Sequence, residues 1–436
     1  MTNKRSNILP IVVMYLLFFM IAFVTNMCSP MAVIVKNNFA MSNFAAQLGN
    51  AANFIAYAVM GIPAGVLLKK IGYRKTAVVA ILVGFVGVFL QYMSGWAAIE
   101  SFWVYLSGAF IAGFCMCMLN TVVNPMLHIL GGGGNRGNQL VQFGGVCGST
   151  AAVLVTIIMG SLIADATKAQ IADATPALMI ALGVFTFAFL VLAVVKIPEP
   201  EIDVNEKIEM KEAKGWKYSA FSFRHFNLGM LAIFMYLGIE VGVPTYIMQY
   251  LTTAPEAATP GLGIDAGIVG MIVAIYWLLM LVGRFFGGMI SGRVSSRIQI
   301  ISVSVISIVL LLLGMFLPTD TLIKMPGIDW ATLTMITAEV PVGVFALVLI
   351  GLCTSVMWGG IFNMAVEGLG KYTSIASGAF MTMVCGGGIL IPLQGKLADC
   401  LGNFQMSYLV VLACAAYILF YALIGSRNVN KDIPTE

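Results

Sequence analysis

The sequence predicts an all-α membrane protein, with twelve transmembrane helices arranged as two pseudo-symmetric six-helix bundles. Three observations lead there. Of the 436 residues, 60% are hydrophobic and only 10% charged, where a soluble domain carries ~25% charged residues. Apolar stretches of about 20 residues, long enough to cross the hydrocarbon of a bilayer, recur twelve times along the chain. A single long polar stretch separates six of them from the other six. The first observation argues against soluble enzyme folds. The second argues against a membrane barrel, whose strands are short and alternate polar with apolar residues.

In chain order, the first stretch, 9–33, follows Met1 to Pro10 without a small-residue cleavage site, so it is expected to stay as a helix rather than be removed as a signal. Stretches 44–68, 76–96, 102–128, 138–164 and 175–196 complete an amino-terminal bundle, residues 1–197. Apolarity on all sides over such lengths implies helices, because lipid offers no partner for an unpaired backbone group. Residues 198–223 read as a solvated linker, with acids such as Glu199, Asp203 and Glu212 among lysines, and a short surface helix is expected at 207–217. Stretches 225–251, 266–291, 298–317, 341–366, 374–395 and 404–425 form the carboxy-terminal bundle, 224–436. Pro30, Pro125, Pro244 and the pair Gly359 and Gly360 lie at similar depth in the first, fourth, seventh and tenth stretches. Breaks are expected there, and interrupted helices at matching positions point to a binding site between the bundles. The halves also echo each other after their second spans. Gly65 precedes Arg74 by nine residues in a basic, glycine-bearing loop, as Gly288 precedes Arg297.

Charge supplies the orientation. All of the 23 Lys and Arg residues except Lys36, Lys168, Lys324 and Lys396 fall at one face when both termini share it, which identifies that face as cytoplasmic. The net charge of +4 follows from this topology and calls for no nucleic-acid partner. The eight cysteines lie within or at the ends of spans and suggest neither a disulfide framework nor a metal pair. Gly131 to Gly134 lacks the Lys-Ser/Thr of a phosphate-binding loop. His128 and His225 form no metal or nucleophile constellation, so no cofactor, metal or enzymatic activity is expected.

Among 19 acidic residues only Glu240 sits well inside a span, the seventh. A carboxylate at that depth has to be paired, protonated or facing a wet cavity, so it is either a coupling site or a structural hydrogen-bonding group. The amino-terminal half offers carboxamides instead: Asn26, Asn50 and Asn53 with Gln47, Asn120 with Asn124, and Gln142 with Gln139. Helical spacing puts each set on one face, and amides both donate and accept, as sugar hydroxyls do. Interhelical packing is the competing role for all of them. Tyr246, Trp277 and Trp358 are candidate platforms for the C–H face of a sugar, with Gln249 and Asn363 nearby in sequence. Arg284 lies near the inner end of the eighth span, so the centre is expected to lack a positive charge and the substrate to be neutral. Arg74, Arg284, Arg293 and Glu367 are assigned to a cytoplasmic gate.

Glu367-Gly368-Leu369-Gly370-Lys371-Tyr372, Gly386-Gly387-Gly388 and Pro392-Leu393-Gln394-Gly395-Lys396 resemble the glucose/galactose branch of the fucose:proton symporter family, within the major facilitator superfamily. Ile62-Pro63-Ala64-Gly65, Tyr236-Leu237-Gly238-Ile239-Glu240 and Val282-Gly283-Arg284-Phe285 agree. The resemblance covers essentially all twelve helices. It implies the major facilitator fold, sugar uptake by alternating access, a functional acid at Glu240 and a bacterial cytoplasmic membrane, and it fits a monomer. Proton-coupled members carry an acid that aligns near Ser29, and fucose transporters another that aligns with Asn120. Neither acid is present. Proton symport through Glu240, sodium symport and plain facilitated diffusion therefore all stay open. An exporter of amphipathic compounds, which would need a larger and greasier cavity, is the alternative within transport. A non-transporting receptor ranks below it for want of a soluble output domain.

Overall fold

A computed structural model describes residues 8–131, 134–163, 169–195, 197, 218–290, 294–329, 334–430 and 432–433. Eleven of its helices are long and apolar enough to cross a membrane, and a bent pair, Val342–Thr354 with Met357–Val366, makes a twelfth span. The first six are Ile8–Asn38, Leu48–Leu68, Tyr73–Met93, Phe102–Leu127, Phe143–Leu162 and Ile171–Val194. The second six are Arg224–Thr252, Ala266–Gly287, Ser296–Phe316, the bent pair, Ala379–Leu401 and Phe404–Gly425. Large apolar side chains such as Ile62, Val66, Leu190 and Val194 stay exposed on the outer surface, as expected where the solvent is lipid. Residues 198–217 of the linker, with the helix expected at 207–217, lie outside the described residues, and its end forms a short 3-10 turn, Ala220–Ser222.

An even number of crossings returns both termini to one face, here called the terminal face; the opposite one is the far face. At the far face the two bundles meet. Asp399 accepts hydrogen bonds from the Asn43 amide nitrogen (3.2 Å), Asn43 Nδ2 (2.7 Å) and the Phe44 amide nitrogen (2.9 Å). Lys36 Nζ donates to Thr253 Oγ1 at 3.1 Å. Spans five and eight touch through glycine: a Cβ at Gly160 would lie 2.8 Å from the Ala266 carbonyl oxygen and 3.0 Å from the Gly270 Cα.

The breaks differ in position from those expected. Span seven breaks at Val241, between helices Arg224–Glu240 and Gly242–Thr252, and not at Pro244 itself. Proline lacks an N–H, so the carbonyl four residues back, that of Glu240, loses its helical donor. The Tyr276 hydroxyl replaces it at 3.0 Å. Span ten bends by 41° at Ser355 and Val356. The Thr354 and Ser355 hydroxyls there donate to the Gly351 and Leu352 carbonyls and compete with the helical ladder. Gly359 and Gly360 are ordinary members of the following helix, and Gly360 packs on Ile300. Pro30 and Pro125 lie inside unbroken helices.

Span eleven has a further break at 383–385. The glycines that follow bring it against both bundles. A Cβ at Gly386 would collide with the Phe234 carbonyl, one at Gly387 would sit 2.9 Å from the Phe54 ring, and one at Gly388 would sit 2.7 Å from the Ala51 carbonyl oxygen. Between spans nine and ten the chain forms an antiparallel hairpin, Leu322–Asp329 paired with Thr334–Pro341, where the sequence reading had only a connection.

The echo between the halves has a structural counterpart. Arg74 donates to the Leu192 (3.1 Å) and Ala193 (2.8 Å) carbonyls at the end of span six. Arg297 donates to the Ala422 (2.8 Å) and Leu423 carbonyls at the end of span twelve. Each arginine satisfies carbonyls left without intrahelical donors and complements the negative end of the helix dipole.

Candidate functional site

Between the bundles lies a cavity of about 320 Å³, lined by spans one, two, four and five on one side and seven to eleven on the other. Its lining reaches Ser296, Gln299 and the exposed Asn363 near the terminal face. Towards the far face, one turn beyond the lining residue Asn26, the Ser29 and Thr245 hydroxyls join across the bundles at 2.7 Å. The cavity is therefore open to the terminal face and closed above by that bond and the far-face contacts.

Span seven delivers Glu240 into the cavity at the last residue before its break, where the helix ends and the side chain clears its neighbours. Arg284 of span eight meets it, Nη2 to Oε1 at 3.2 Å, with the two side chains 20% and 16% exposed. Arg284 also crosses to the other bundle, where Nη1 donates to the Gly145 carbonyl (2.9 Å) and to Ser149 Oγ (2.8 Å). A Cβ at Gly145 would stand 3.7 Å from Nη1, in ordinary contact with the guanidinium. The central position of Arg284 corrects two expectations: its place at the cytoplasmic gate, and a centre without positive charge. The net charge of the pair is still zero.

Asn26, Asn120, Asn124, Trp277, Trp358 and Asn363 line this cavity with Glu240 and Arg284. Asn120 Nδ2 donates to the Tyr57 hydroxyl at 3.0 Å, and Asn124 Nδ2 to the Asn120 carbonyl at 3.0 Å. Asn26 Nδ2 donates to the Ala22 carbonyl at 2.8 Å. Trp358 is held edge-on by Tyr236 and Phe380, each with a centroid separation of 6.0 Å. Trp277 stands perpendicular to Tyr276 at 5.2 Å.

Four expected residues lie elsewhere. Asn50 donates to Gln47 Oε1 (2.6 Å) and Asn53 to the Ala109 carbonyl (3.5 Å), both buried beside the cavity towards the far face. The Tyr246 hydroxyl donates to the Ile391 carbonyl at 2.9 Å and is fully buried. Gln249 is buried beyond the cavity roof, because the break at Val241 does not turn it back towards Glu240. The Gln142 side chain and Arg293 lie outside the described residues. Glu367 contributes its carbonyl, which accepts from His225 Nε2 at 2.9 Å.

Sequence reasoning missed Tyr57, Ser149 and the unpartnered Thr25 Oγ1 of the cavity wall. Spacing held a signal for two of the side chains. Tyr57 follows Asn53 by one turn, and Arg284 follows Trp277 by seven residues, which puts each pair on one helix face.

The Major Facilitator Superfamily model matches residues 14–392. The chain belongs to that superfamily. Among its curated relatives, a glucose/galactose transporter of Brucella abortus is 29% identical over 95% of this chain and 93% of its own length. An L-fucose-proton symporter of Escherichia coli is 24% identical over 98% and 96%. The crystal structure of the E. coli fucose:proton symporter superposes with a TM-score of 0.65 at 22% identity, covering 97% of this chain and all of that one. A bacterial homologue of the human lysosomal transporter Spinster, in an inward-facing and occupied conformation, gives 0.69 at 12% identity. These structural matches are matches of fold.

Proposed function

We propose that the protein is a secondary transporter that carries a neutral sugar of hexose size across the bacterial cytoplasmic membrane by alternating access, with Glu240 as its coupling residue. The observation that carries this reading is the make-up of the cavity, in which amides and two tryptophans surround a charge pair that neutralises itself. A charged substrate would meet no net charge there to balance its own. A polyol finds the donors and acceptors of Asn26, Asn120, Asn124 and Asn363 and the flat faces of Trp277 and Trp358. At about 320 Å³ the cavity sits at the small end of the ~300–1,000 Å³ typical of small-molecule sites, which disfavours the amphipathic-exporter reading. The glucose/galactose and fucose names of the relatives point the same way.

Coupling through Glu240 is favoured over facilitated diffusion because its partner also bonds the opposite bundle. Protonation of Glu240 releases Arg284 from the carboxylate and changes what holds the bundles together at the height of the ligand. The terminal face is the cytoplasmic one in this reading, supported by Lys70, Arg74, Lys75, Arg224 and Arg297 there against Lys36, Lys324 and Lys396 at the other. The loops that carry Arg74 and Arg293, together with Glu367, then form the cytoplasmic gate of a protein that works as a monomer.

Uptake of labelled glucose, galactose, fucose and mannose into proteoliposomes, with and without proton or sodium gradients, tests the proposal. One sugar should accumulate under a proton gradient in the wild type, and Glu240→Gln should retain exchange without accumulation. Sodium-driven accumulation or simple equilibration would replace the coupling assignment. No movement of any sugar would overturn the substrate class.

A further inference from the structure

Above the roof formed by Ser29 and Thr245, the seam between the bundles is closed but not uniformly apolar. Span one and the second half of span seven face each other through two bonds, Ser29 with Thr245 and Lys36 with Thr253. Gln249 follows Thr245 by four residues and precedes Thr253 by four, so it lies on the same helix face, midway between the two bonds. The matching part of span one is Ala32 and Val33, both buried and both without polar side chains. Gln249 is 1% exposed, and neither Nε2 nor Oε1 has a protein partner. A buried amide with both ends unsatisfied is rare enough to demand a reason.

The amino-terminal bundle carries a counterpart at the same height. Asn50 lies seven residues from Tyr57 along the cavity-lining stripe of span two, as Val33 lies seven from Asn26 along span one. At 1.5 Å per residue, both stand about 10 Å above the central cavity. Asn50 Oδ1 and Gln47 Nε2 are also buried without partners. Each group is left over after Asn50 has donated to Gln47 Oε1.

We propose that Gln249, with Asn50 and Gln47, forms a second subsite for a neutral polyhydroxyl ligand, sealed in this conformation and exposed to the far face when the Ser29 and Lys36 bonds part. It rests on the sugar-transport reading and adds a station on the ligand's path. The unsatisfied amides supply both acceptors and donors at one height in the seam, and none of the three carries a charge. When the far side opens, the sugar meets these amides before it reaches the central cavity. When it closes, the ligand leaves the seam for the centre, and Gln249 comes to face the apolar stretch of span one. The unsatisfied state of the amides makes the sealed seam easier to reopen.

The test compares sugar with deoxy-sugar in sided membrane vesicles, right-side-out and inside-out, for the wild type and Gln249→Leu. A site that hydrogen-bonds a hydroxyl rejects the analogue lacking it. In the wild type, the analogue lacking the hydroxyl read by Gln249 should show a far-side KM about tenfold above the parent sugar, and Gln249→Leu should bring the two KM values together. The same comparison from the terminal side, where the central cavity reads the sugar, is the internal reference. Gln249→Met replaces the leucine variant if the latter does not insert. A variant that shifts the KM of every sugar by one common factor, or a wild type with no far-side deoxy penalty, would overturn the subsite and leave the transporter assignment standing. A wild type that moves no sugar would overturn the polyol class for both sites.

Discussion

The Glu240 and Arg284 pair allows a quantitative test of the site. At 3.2 Å and an effective dielectric of about 20, two unit charges attract by roughly 5 kcal/mol. Much of that is offset by the loss of hydration as each group enters the cavity wall. Fully exposed pairs retain ~0–1 kcal/mol, whereas removing one partner of a fully buried pair costs ~3–5 kcal/mol. With 20% and 16% exposure the pair falls between these limits, at a coupling of about 2 kcal/mol. Denaturant unfolding in detergent of the wild type, Glu240→Gln, Arg284→Gln and the double variant measures that coupling directly. The double variant should lose about 2 kcal/mol less stability than the two single losses added together. Arg284→Lys should fall between the wild type and the glutamine variant, because an ammonium keeps the attraction to Glu240 but cannot also serve the Gly145 carbonyl and Ser149 in the fork geometry of a guanidinium. A coupling below about 0.5 kcal/mol would refute the reasoning, since it would mean that the two charges are solvated independently.

Three further outcomes are expected. Gly270→Leu should drive the far seam apart, because its Cβ alone would stand 2.8 Å from the Thr156 carbonyl oxygen and 3.0 Å from the Gly160 Cα; a cysteine at Val33 should then react with an impermeant thiol reagent at least tenfold faster from the far face. Arg74→Ala and Arg297→Ala should each lower unfolding stability by about 1–2 kcal/mol and by similar amounts, since each removes two bonds to the carbonyls of a helix end; a large inequality would break the equivalence of the halves. Trp358→Ala should raise the sugar KM by an order of magnitude or more, while Trp103→Ala, on the exposed lipid side, should leave it unchanged.

The twelve spans were legible because lipid imposes one requirement on every crossing, and length and apolarity report it directly. The hairpin was not, since a short exposed sheet between two spans leaves no comparable pattern. Pro244 and the pair Gly359 and Gly360 located breaks only to within a turn, and Pro30 and Pro125 marked none. Pro244 frees a carbonyl four residues upstream, so the helix fails near Glu240, and the bend of span ten lies at hydroxyl residues that composition does not single out. The cavity-lining residues on spans one, four, eight and ten stand out in the sequence because polar and aromatic groups on one helix face are rare in such a chain. Asn50, Tyr246 and Gln249 were misplaced for a different reason. Sequence gives the face of a helix that a residue occupies, but whether that face lines a cavity or a closed seam depends on which side of the protein is open.

Arg284 shows why that distinction bears on mechanism. A basic residue two turns beyond Trp277 looks too close to the helix end to serve the centre. Its side chain instead reaches back along span eight to Glu240 and across to the Gly145 carbonyl of span five. The guanidinium thereby bonds both bundles beside the ligand cavity, on the side where the seam is open. In a rocking transporter this is where a bond between bundles has to be made in one state and released in the other. The far side is held apart from this cavity, by the hydroxyl pair of Ser29 and Thr245, by Lys36 on Thr253, and by the three N–H groups that donate to the Asp399 carboxylate. Among the described residues, Glu240 is the one carboxylate that touches the cavity. In the proposed mechanism, protonation of this single group changes the contacts at the open side without disturbing those at the closed one, which is the asymmetry that coupling a proton to a change of access requires.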